Sequence, residues 1–538
     1  MLRMLQRRRR QCVVWIIGFV ILLAVVVSLK SAYNFYVYRQ LVSKLKPGEH
    51  VVDLGSFNPQ TFMKKVKPDW DIMRNSEFPN ASIPYGRMVP DTRPSNCMLK
   101  SLQLISLPEA SVVMVLQGEP RHTVFRTIYS ILLRTPPELL REIVVIDDAI
   151  EDVAMGSLLS RIPKVKVTRN SKMEGMIKSM NTGANLAVSP ILIFVTSKCE
   201  VNVHWLQPLL QRLVHNNPAG VVAPVLDTIS STGEYSPNEE LARAGFDWSL
   251  SSKLEGNAIG EQVFSSPIYR GHVFSIGRER FLKLGKFDPG FESYGGENIE
   301  LSLKTWLCGG RVEIHTCSRI GQIHVEEELT GLRRGHENIY LRNVKRVAEA
   351  WLDDYKRFFY YTKPFARMVN AGSIAERKSL RQHLKCQTFK WYMDNVYIEL
   401  RPPVTDEIMF GTIRQQDFCV DIEIGHVPAV AKLVPCNPDK SAQDWSFKKK
   451  GEITSGGMCL SADPIETHGY VMVHFCTNLP SQKWLFLDGQ IFREGTDQCL
   501  DSHKANVALV IAECDEQYVS QRWRVVDKSQ QSRSKDEV

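Results

Sequence analysis

Between residues 110 and 223, short runs rich in β-branched residues alternate with segments that repeat apolar residues every three or four positions. The short runs predict strands at 111–116, 142–147, 165–168, 191–195 and 220–223. The segments between them predict helices at 122–133, 153–161, 176–187 and 204–215. Strands that alternate with helices indicate an α/β domain with a mainly parallel, doubly wound sheet.

Past residue 402 the pattern changes to short apolar runs with few helical segments. A motif that begins with Cys and ends with Gln-x-Trp occurs in copies about 40 residues apart. The copies begin at Cys419, Cys459 and Cys499 and end at Trp445, Trp484 and Trp523. Such a period predicts an internally repeated β structure, in which the three tryptophans share one core. Each copy has its own cysteine pair, which predicts the disulfides Cys419–Cys436, Cys459–Cys476 and Cys499–Cys514.

The N-terminus carries Arg7-Arg-Arg-Arg10, followed by an uncharged, apolar run over 13–29. About 17 apolar residues suffice to cross a bilayer, and the basic side stays cytoplasmic. We therefore expect a cytoplasmic tail over 1–12, an uncleaved signal anchor over 13–29 and a lumenal stem over 30–95. The alternative is a cleaved signal peptide, for which Ser28-Leu-Lys-Ser-Ala is a poor cleavage site.

The composition agrees with a multidomain protein of the secretory pathway. The 538 residues contain 12 cysteines, which indicates an oxidising compartment. Asn80-Ala-Ser82 is a glycosylation sequon that is usable only in the lumen. The net charge of +8 includes the four arginines of the N-terminal cluster, so the remainder gives no case for nucleic acid binding.

Polar residues follow two of the predicted strands, where ligands bind in α/β folds. Asp147 and Asp148 end the second strand, and Thr196, Ser197 and Lys198 end the fourth. A carboxylate at such a position can hydrogen-bond a base or a ribose; the alternative is a solvated turn at a strand end.

A second segment, rich in glycine and polar residues, precedes another predicted helix and has Glu297 and Asn298 directly after Gly295-Gly296. Glycines permit close approach of the backbone to a ligand, and a helix N-terminus attracts polar groups.

At these residues the chain resembles the animal polypeptide N-acetylgalactosaminyltransferases, which start mucin-type O-glycans on Ser and Thr. The similarity covers about residues 97 to 526. Its carriers are Glu142-Ile-Val-Val-Ile-Asp-Asp148, Cys199-Glu-Val-Asn-Val-His-Trp205, Gly245-Phe-Asp-Trp248, Tyr294-Gly-Gly-Glu-Asn298, Trp306-Leu-Cys-Gly-Gly310, Cys317-Ser-Arg-Ile-Gly321, Ala348-Glu-Ala-Trp-Leu-Asp-Asp-Tyr355 and Phe389-Lys-Trp-Tyr392. The resemblance implies a GT-A glycosyltransferase-type domain over 96–400, a ricin-type β-trefoil lectin domain over 405–527 and a tail over 528–538. It also implies UDP-GalNAc as donor, Mn²⁺ as cofactor and Golgi residence.

The resemblance assigns further roles to individual residues. It adds the disulfides Cys97–Cys317 and Cys308–Cys386. It matches Asp148 to a UDP-contacting Asp and retains Glu297 and Asn298 as catalytic positions. In the trefoil it assigns carbohydrate binding to Asp421 and Asp501, whereas the middle repeat has Ser461 and no repeat has the full pair of sugar-binding residues.

The departures from the family pattern fall in the metal site. Thr196-Ser-Lys198 stands where members carry Asp-x-His, and Gln322 replaces a third ligand, a His. Two arginines that contact the donor are Met173 and Val325 here. Mn²⁺ prefers carboxylate, imidazole and water ligands, so the sequence predicts no metal at these positions and no cofactor, or Mn²⁺ if the chain acts in the family manner.

We therefore predict a single-pass type II Golgi membrane glycoprotein that is a catalytically impaired member of this family, a pseudoenzyme that binds a related transferase or an acceptor glycoprotein. Two alternatives stay open. An active transferase could neutralise the diphosphate of UDP-GalNAc with Lys198 and Arg270 instead of a metal. A non-catalytic lectin could bind glycopeptides. The endoplasmic reticulum is the alternative location, because Lys535-Asp-Glu-Val538 resembles a retrieval signal.

Overall fold

A computed structural model describes residues 49–53, 85–98, 104–239, 241–256, 261–323, 337–402, 406–422, 428–437, 441–462, 469–502 and 508–527. Among these residues, none of the helices combines the length and the apolar character needed to cross a bilayer. The predicted signal anchor at 13–29, the sequon at Asn80 and the C-terminal tail lie outside the described residues.

The chain forms two compact units, each described by itself. The first contains the described residues up to 243, together with 256–286 and 310–323. The second contains 244–255, 287–309 and the described residues from 337 onward.

A ten-stranded sheet forms the centre of the first unit, with the strand order β12-β14-β8-β13-β6-β3-β4-β5 and with β7 and β9 attached to β14 and β8. Its strands are β3 (Ala110–Leu116), β4 (Leu140–Asp147), β5 (Val165–Arg169), β6 (Ile191–Thr196), β7 (Cys199–Val201), β8 (Val221–Ile229), β9 (Tyr235–Ser236), β12 (Val263–Ser265), β13 (Phe274–Gly277) and β14 (Val312–Ile323). A separate ribbon pairs β1 (Glu49–Asp53), which lies within the predicted stem, with β2 (Leu104–Pro108).

Helices flank this sheet. They are α1 (Ser95–Met98), α2 (Arg121–Arg134), α3 (Ala154–Leu159), α4 (Met176–Leu186), α5 (Leu206–His215) and α6 (Arg278–Lys283). Helix α4 packs on β3 so closely that a Cβ on Gly183 would lie 2.4 Å from Cγ1 of Val113. Only glycine fits there, so the second half of α4 lies directly on the middle of β3.

The sheet differs from the prediction in two respects. Strands β3 to β6 run parallel to one another, and β8 and β14 share their direction, so the sheet is mainly parallel as predicted; β13, which was not predicted, runs antiparallel between β6 and β8. The predicted strand at 191–195 does not run directly into a helix. Strand β7 intervenes and pairs with β14, and its central residue Glu200 is buried in ion pairs with Arg87 and Arg126.

The second unit begins with helices and a small sheet. Its helices are α7 (Glu297–Leu307), α8 (Glu337–Trp351), α9 (Lys356–Thr362), α10 (Ala375–His383) and α11 (Phe389–Asn395), with a 3-10 helix at Pro364–Met368. Strands β10 (Arg243–Phe246) and β11 (Ser252–Glu255) form a two-stranded sheet.

The remainder of the second unit consists of short strands around a shared apolar core. The strands are β15 (Glu407–Gln415), β16 (Phe418–Ile422), β17 (Ala429–Pro435), β18 (Asp444–Lys448), β19 (Ile453–Ser455), β20 (Met458–Ser461), β21 (Met472–Phe475), β22 (Trp484–Leu487), β23 (Gln490–Arg493), β24 (Gln498–Asp501), β25 (Val510–Glu513) and β26 (Arg524–Asp527). Trp445, Trp484 and Trp523 are buried in one cluster, as the repeat predicts. Each indole N–H donates to a main-chain carbonyl of its own repeat, at Val420, Leu460 and Leu500.

The structure contains the same five disulfides that the sequence predicts. They are Cys97–Cys317, Cys308–Cys386, Cys419–Cys436, Cys459–Cys476 and Cys499–Cys514. Cys199 is a buried free thiol.

Candidate active site

Three parallel strands of the first unit end at the same edge of the sheet. The register places Leu116 of β3 opposite Asp147 of β4. It places Val115 of β3 opposite Thr196 of β6. The polar residues that follow these strands are therefore neighbours, and this edge is where an α/β fold binds ligands.

Asp148 lies at this edge with 3% of its surface exposed, and both of its carboxylate oxygens accept hydrogen bonds from the protein. Oδ1 accepts from Asn170 Nδ2 at 2.8 Å, from Glu174 N at 2.8 Å and from Ser179 Oγ at 3.1 Å. Oδ2 accepts from Gly175 N at 2.9 Å. A carboxylate offers about four lone-pair positions, so four protein donors satisfy it without a ligand. The side chain holds the backbone immediately before α4.

Asp147 is also occupied by protein groups. Arg169 Nη1 lies 2.6 Å from its Oδ2, and the N–H of Ile150 donates to its Oδ1 at 3.1 Å. The Asp147-Asp148 pair thus fastens two neighbouring segments to the end of β4.

Thr196 and Lys198 flank the turn between β6 and β7. The Thr196 hydroxyl lies 2.9 Å from the Cys199 thiol. Burial raises the pKa of that thiol to about 11, so it stays protonated at neutral pH. Lys198 is half-buried, and its main-chain carbonyl accepts from Ile323 N at 2.9 Å.

Gln322 reaches the same place from β14. It lies opposite Cys199 in the antiparallel pairing of β14 with β7. Its Oε1 lies 3.9 Å from the position that a Cβ on Gly271 would occupy, so the segment Arg270-Gly271-His272 borders it. The backbone segments that carry Thr196, Lys198 and Gln322 are therefore neighbours.

These three side chains do not fit a manganese ion. Mn²⁺ binds best to carboxylate, carbonyl and water oxygens. Thr196 offers a hydroxyl and Gln322 a single amide carbonyl oxygen, so the set contains no carboxylate, and the Lys198 ammonium is a cation with no acceptor. Among the described residues, no three His, Cys, Asp or Glu side chains are grouped closely enough to hold a metal.

Glu297 and Asn298 begin α7 in the second unit. Glu297 is 4% exposed, and its Oε2 accepts from Gly295 N at 2.6 Å. Gly295 and Gly296 have φ values of 103° and 85°, a region that favours glycine. Asn298 is half-buried, and its Nδ2 lies 3.4 Å from Ser252 Oγ. The turn before α7 is thus held by the Glu297 carboxylate and by Asn343 of α8, which donates to the carbonyl of Tyr294 at 3.1 Å.

The predicted sugar-binding carboxylates lie inside their trefoil repeats. Asp421 and Asp501 are each 2% exposed. Each accepts from the Gln of its own repeat, Gln443 or Gln521, at 2.9 Å. In the middle repeat, which has Ser461, Gln482 donates to the carbonyl of Phe475 at 2.8 Å. The Asp–Gln pair therefore has a structural role in two of the three repeats.

An open cleft of about 410 Å³ in the first unit was not predicted. Arg319 lies at its base and forms a buried ion pair with Asp227 at 2.9 Å. Burial raises the pKa of Asp227, and Thr92 and Asn238 also donate to its carboxylate. The sequence gives no signal for this cleft, because its walls come from 90–94, 237–241 and Arg319, which are far apart along the chain.

Comparisons with known proteins agree with this architecture. The profile "Glycosyl transferase family 2" matches residues 111–278, "N-terminal domain of galactosyltransferase" matches 261–328, and "Ricin-type beta-trefoil lectin domain" matches 409–523. These matches give the first unit a GT-A glycosyltransferase fold and the repeats a ricin-type β-trefoil.

Similar full-length proteins share one activity in their names. Polypeptide N-acetylgalactosaminyltransferase 14 of Homo sapiens is 35% identical over 466 residues, which cover 82% of this chain and 84% of that protein. Polypeptide N-acetylgalactosaminyltransferase 16 of Mus musculus is 35% identical over 491 residues, which cover 86% of each. The crystal structure of GalNAc-T7 with UDP, GalNAc and Mn²⁺ superposes with a TM-score of 0.57 and 29% identity, covering 83% of this chain and 86% of that one.

Proposed function

This chain belongs to the polypeptide N-acetylgalactosaminyltransferase family, and from that premise we propose that it is a member without metal-dependent transferase activity. The observation that carries the proposal is the convergence of Thr196, Lys198 and Gln322 at one edge of the sheet. A member with the family pattern has an Asp and two His ligands at these positions.

The charge at this edge has the wrong sign for a metal-bound donor. GalNAc-T7 was crystallised with Mn²⁺ together with UDP. In a metal-dependent transferase the cation offsets the charge of the donor diphosphate. Here a lysine occupies one ligand position, and Met173, where the family has a donor-binding arginine, is 75% exposed and has no charge. The hydrogen bonds that satisfy Asp148 account for its retention without a nucleotide.

The retained scaffold suits a binding role in the mucin-type O-glycosylation pathway. In this proposal the protein is a single-pass type II membrane protein of the Golgi, with the endoplasmic reticulum as the alternative location. It engages a related transferase or a glycoprotein acceptor. The intact trefoil supports this role, because its Trp core and its disulfides are complete.

A metal-independent transferase is the second candidate, and one observation favours it. The segment that contains Arg270 borders Gln322, so Lys198 and Arg270 lie on the same side of the first unit. Two basic side chains can neutralise a diphosphate in place of a metal. On this alternative Lys198 would be the nucleotide-binding residue, and Glu297 and Asn298 would keep their family roles.

Calorimetric titration of the full chain with UDP and UDP-GalNAc, with and without Mn²⁺, separates these candidates. We expect no binding that depends on Mn²⁺ and no transfer to mucin peptides, with a family member that retains Asp-x-His as the positive control. Mn²⁺-dependent transfer would contradict the proposal. Transfer that resists EDTA and is lost in Lys198→Ala would establish the second candidate.

A glycopeptide titration tests whether the trefoil is a lectin. Binding that is lost in Asp421→Ala or Asp501→Ala, while the variant keeps its thermal unfolding transition, would assign carbohydrate binding to that repeat. Unchanged binding in both variants would exclude these two carboxylates as sugar ligands.

A further inference from the structure

A cavity of about 190 Å³ lies within the second unit, between the 3-10 helix Pro364–Met368 and the first two trefoil repeats. Part of the lining comes from the helical segment before the trefoil, at Tyr360, Tyr361, Pro364 and Arg367. The rest comes from the trefoil, at Asp406, Ser446, Lys448, Glu452, Thr454, Gly456, Gly457 and Cys476. Because Cys476 is exposed and several lining residues are half-buried, the cavity is open to solvent.

Arg367 is the lining residue whose hydrogen-bonding capacity is not met. It is 4% exposed, and its guanidinium carbon lies 4.7 Å from the ring centre of Tyr360 and 5.1 Å from that of Phe410. Its Nη1 is buried and has no hydrogen-bond partner among the described residues. A buried charged donor without an acceptor is unfavourable and calls for an explanation, such as a bound ion or ligand.

The carboxylates that line the cavity have other partners. Asp406 lies 2.9 Å from Lys448 Nζ. Glu452 lies 3.2 Å from Lys483 Nζ. The Lys448 ammonium also lies 4.5 Å from the ring centre of Tyr361. The lining carboxylates are thus paired with lysines. The carboxylates of Asp444, Glu407 and Glu349 act on the Arg367 charge from outside the lining, yet Nη1 has no hydrogen-bond partner among the described residues.

The wall next to Arg367 is preformed. Gly456 and Gly457 join β19 to β20 in a two-residue hairpin turn, with φ values of 60° and 77°. A Cβ on Gly457 would lie 2.6 Å from the Cβ of Pro364, so the turn rests directly on the 3-10 helix. On the other side of that helix, Lys345 Nζ donates to the carbonyls of Arg367 and Val369. These contacts hold the guanidinium and the turn in place before any ligand arrives.

We propose that this cavity is a binding site for a small oxyanion, a carboxylate or a phosphate group, which accepts from Arg367. Guanidinium groups pair preferentially with these two anions, because their N–H donors match the spacing of the anion oxygens. The volume is sufficient, since a cavity of about 150 Å³ accommodates a molecule of the size of benzene. The bound anion joins the 3-10 helix to the adjacent trefoil repeats. This site is independent of the proposed loss of metal-dependent transfer.

The test uses the full chain and two probes, sodium acetate and sodium phosphate, with sodium chloride at matched ionic strength as the reference. Thermal unfolding and hydrogen exchange of the 453–458 turn are measured against probe concentration. We expect a saturable rise in the unfolding temperature and slower exchange of the turn. Response to acetate alone assigns a carboxylate site, and response to phosphate alone assigns a phosphate site. No response beyond that of chloride would overturn the proposal and leave water in the cavity.

Three variants locate the effect. Arg367→Gln removes the charge, and Thr454→Phe fills the cavity while Arg367 stays intact. Each is expected to weaken binding about tenfold or more. Lys449→Gln is the control, because Lys449 is exposed, adjoins Lys448 and does not line the cavity. Binding that persists in both Arg367→Gln and Thr454→Phe, or that is equally weakened by Lys449→Gln, would contradict the assignment.

Discussion

Two sets of polar residues at the edge of the first sheet relate differently to the fold. The Asp148 carboxylate accepts four hydrogen bonds that hold the segment before α4. Lys198 is joined to β14 through its main-chain carbonyl, and Gln322 pairs with Cys199 through the backbone of two strands. A backbone bond tolerates any side chain. The comparison separates a carboxylate whose side chain holds the neighbouring segment from two positions that are joined to the adjacent strand through their backbone.

Asp148→Ala tests this comparison with the largest expected effect. The change leaves the N–H groups of Glu174 and Gly175 without an acceptor in a buried place. We expect the free energy of unfolding to fall by about 3–5 kcal/mol, measured by urea denaturation.

The matched variant is Lys198→Ala, at the same edge of the sheet. We expect a change in the free energy of unfolding of about 1 kcal/mol or less, since the main-chain bond to Ile323 is kept. An equal loss of stability in the two variants would contradict the comparison, because the Asp148 side chain would then contribute no more to the fold than the Lys198 side chain.

Restoring the family donor set should create a metal site without disturbing the sheet. The combined variant Thr196→Asp, Lys198→His and Gln322→His places one carboxylate and two imidazoles on the converging segments. We expect the dissociation constant for Mn²⁺, measured by electron paramagnetic resonance, to be at least about tenfold lower than in the unchanged chain. The control combines Thr196→Asn, Lys198→Gln and Gln322→Asn. Equal affinity in the two combinations would mean that these side chains do not converge on one ion.

His204 gives the first unit a dependence on pH that a substitution should remove. Burial, with a smaller effect of Arg93, lowers the pKa of His204 from 6.5 to about 4. Between these pH values His204 binds a proton more readily in the unfolded chain than in the folded protein. Its contribution to stability is therefore complete above pH 6.5 and is lost as the pH falls toward 4. We expect the protonation of His204 to lower the free energy of unfolding by about 2 kcal/mol over this pH range.

His204→Asn is the informative variant, because φ is 52° at this residue and asparagine tolerates that region. Urea denaturation at several pH values should show a smaller decrease between pH 6.5 and 4 than in the unchanged chain. The same decrease in both proteins would mean that other groups cause it.

The trefoil offers the same comparison on a smaller scale. Asp501 accepts from Gln521 inside its repeat, whereas the middle repeat replaces that carboxylate with Ser461. We expect Asp501→Ser to lower the free energy of unfolding by about 1–2 kcal/mol and Ser461→Ala to change it by about 0.5 kcal/mol or less. Thermal unfolding of both variants measures the difference. An equal decrease in the free energy of unfolding would indicate that the Asp501 carboxylate contributes no more to folding than the Ser461 hydroxyl.

Local periodicity predicted the elements of the first unit closely where they are long and buried. Strands β3 to β6 and helices α2 to α4 differ from their predicted bounds by at most two residues. Strand β7 was not predicted; it has three residues and pairs with β14. Helix α5 was predicted from residue 204 and begins at Leu206, after the positive φ of His204.

The sequence by itself determined which chemistry each position can supply. Lysine and glutamine stand at metal-ligand positions, the cysteines occur in pairs within the repeats, and three Gln-x-Trp segments recur at one spacing. Only the tertiary structure decided how those groups are used. In the folded chain the Asp148 carboxylate accepts hydrogen bonds from protein donors, and Gln322 lies next to the turn at Lys198. Arg367, which lines a cavity, has an Nη1 without a hydrogen-bond partner among the described residues. The physical reason is that hydrogen-bond partners and burial depend on residues distant along the chain, and a local pattern carries no record of them.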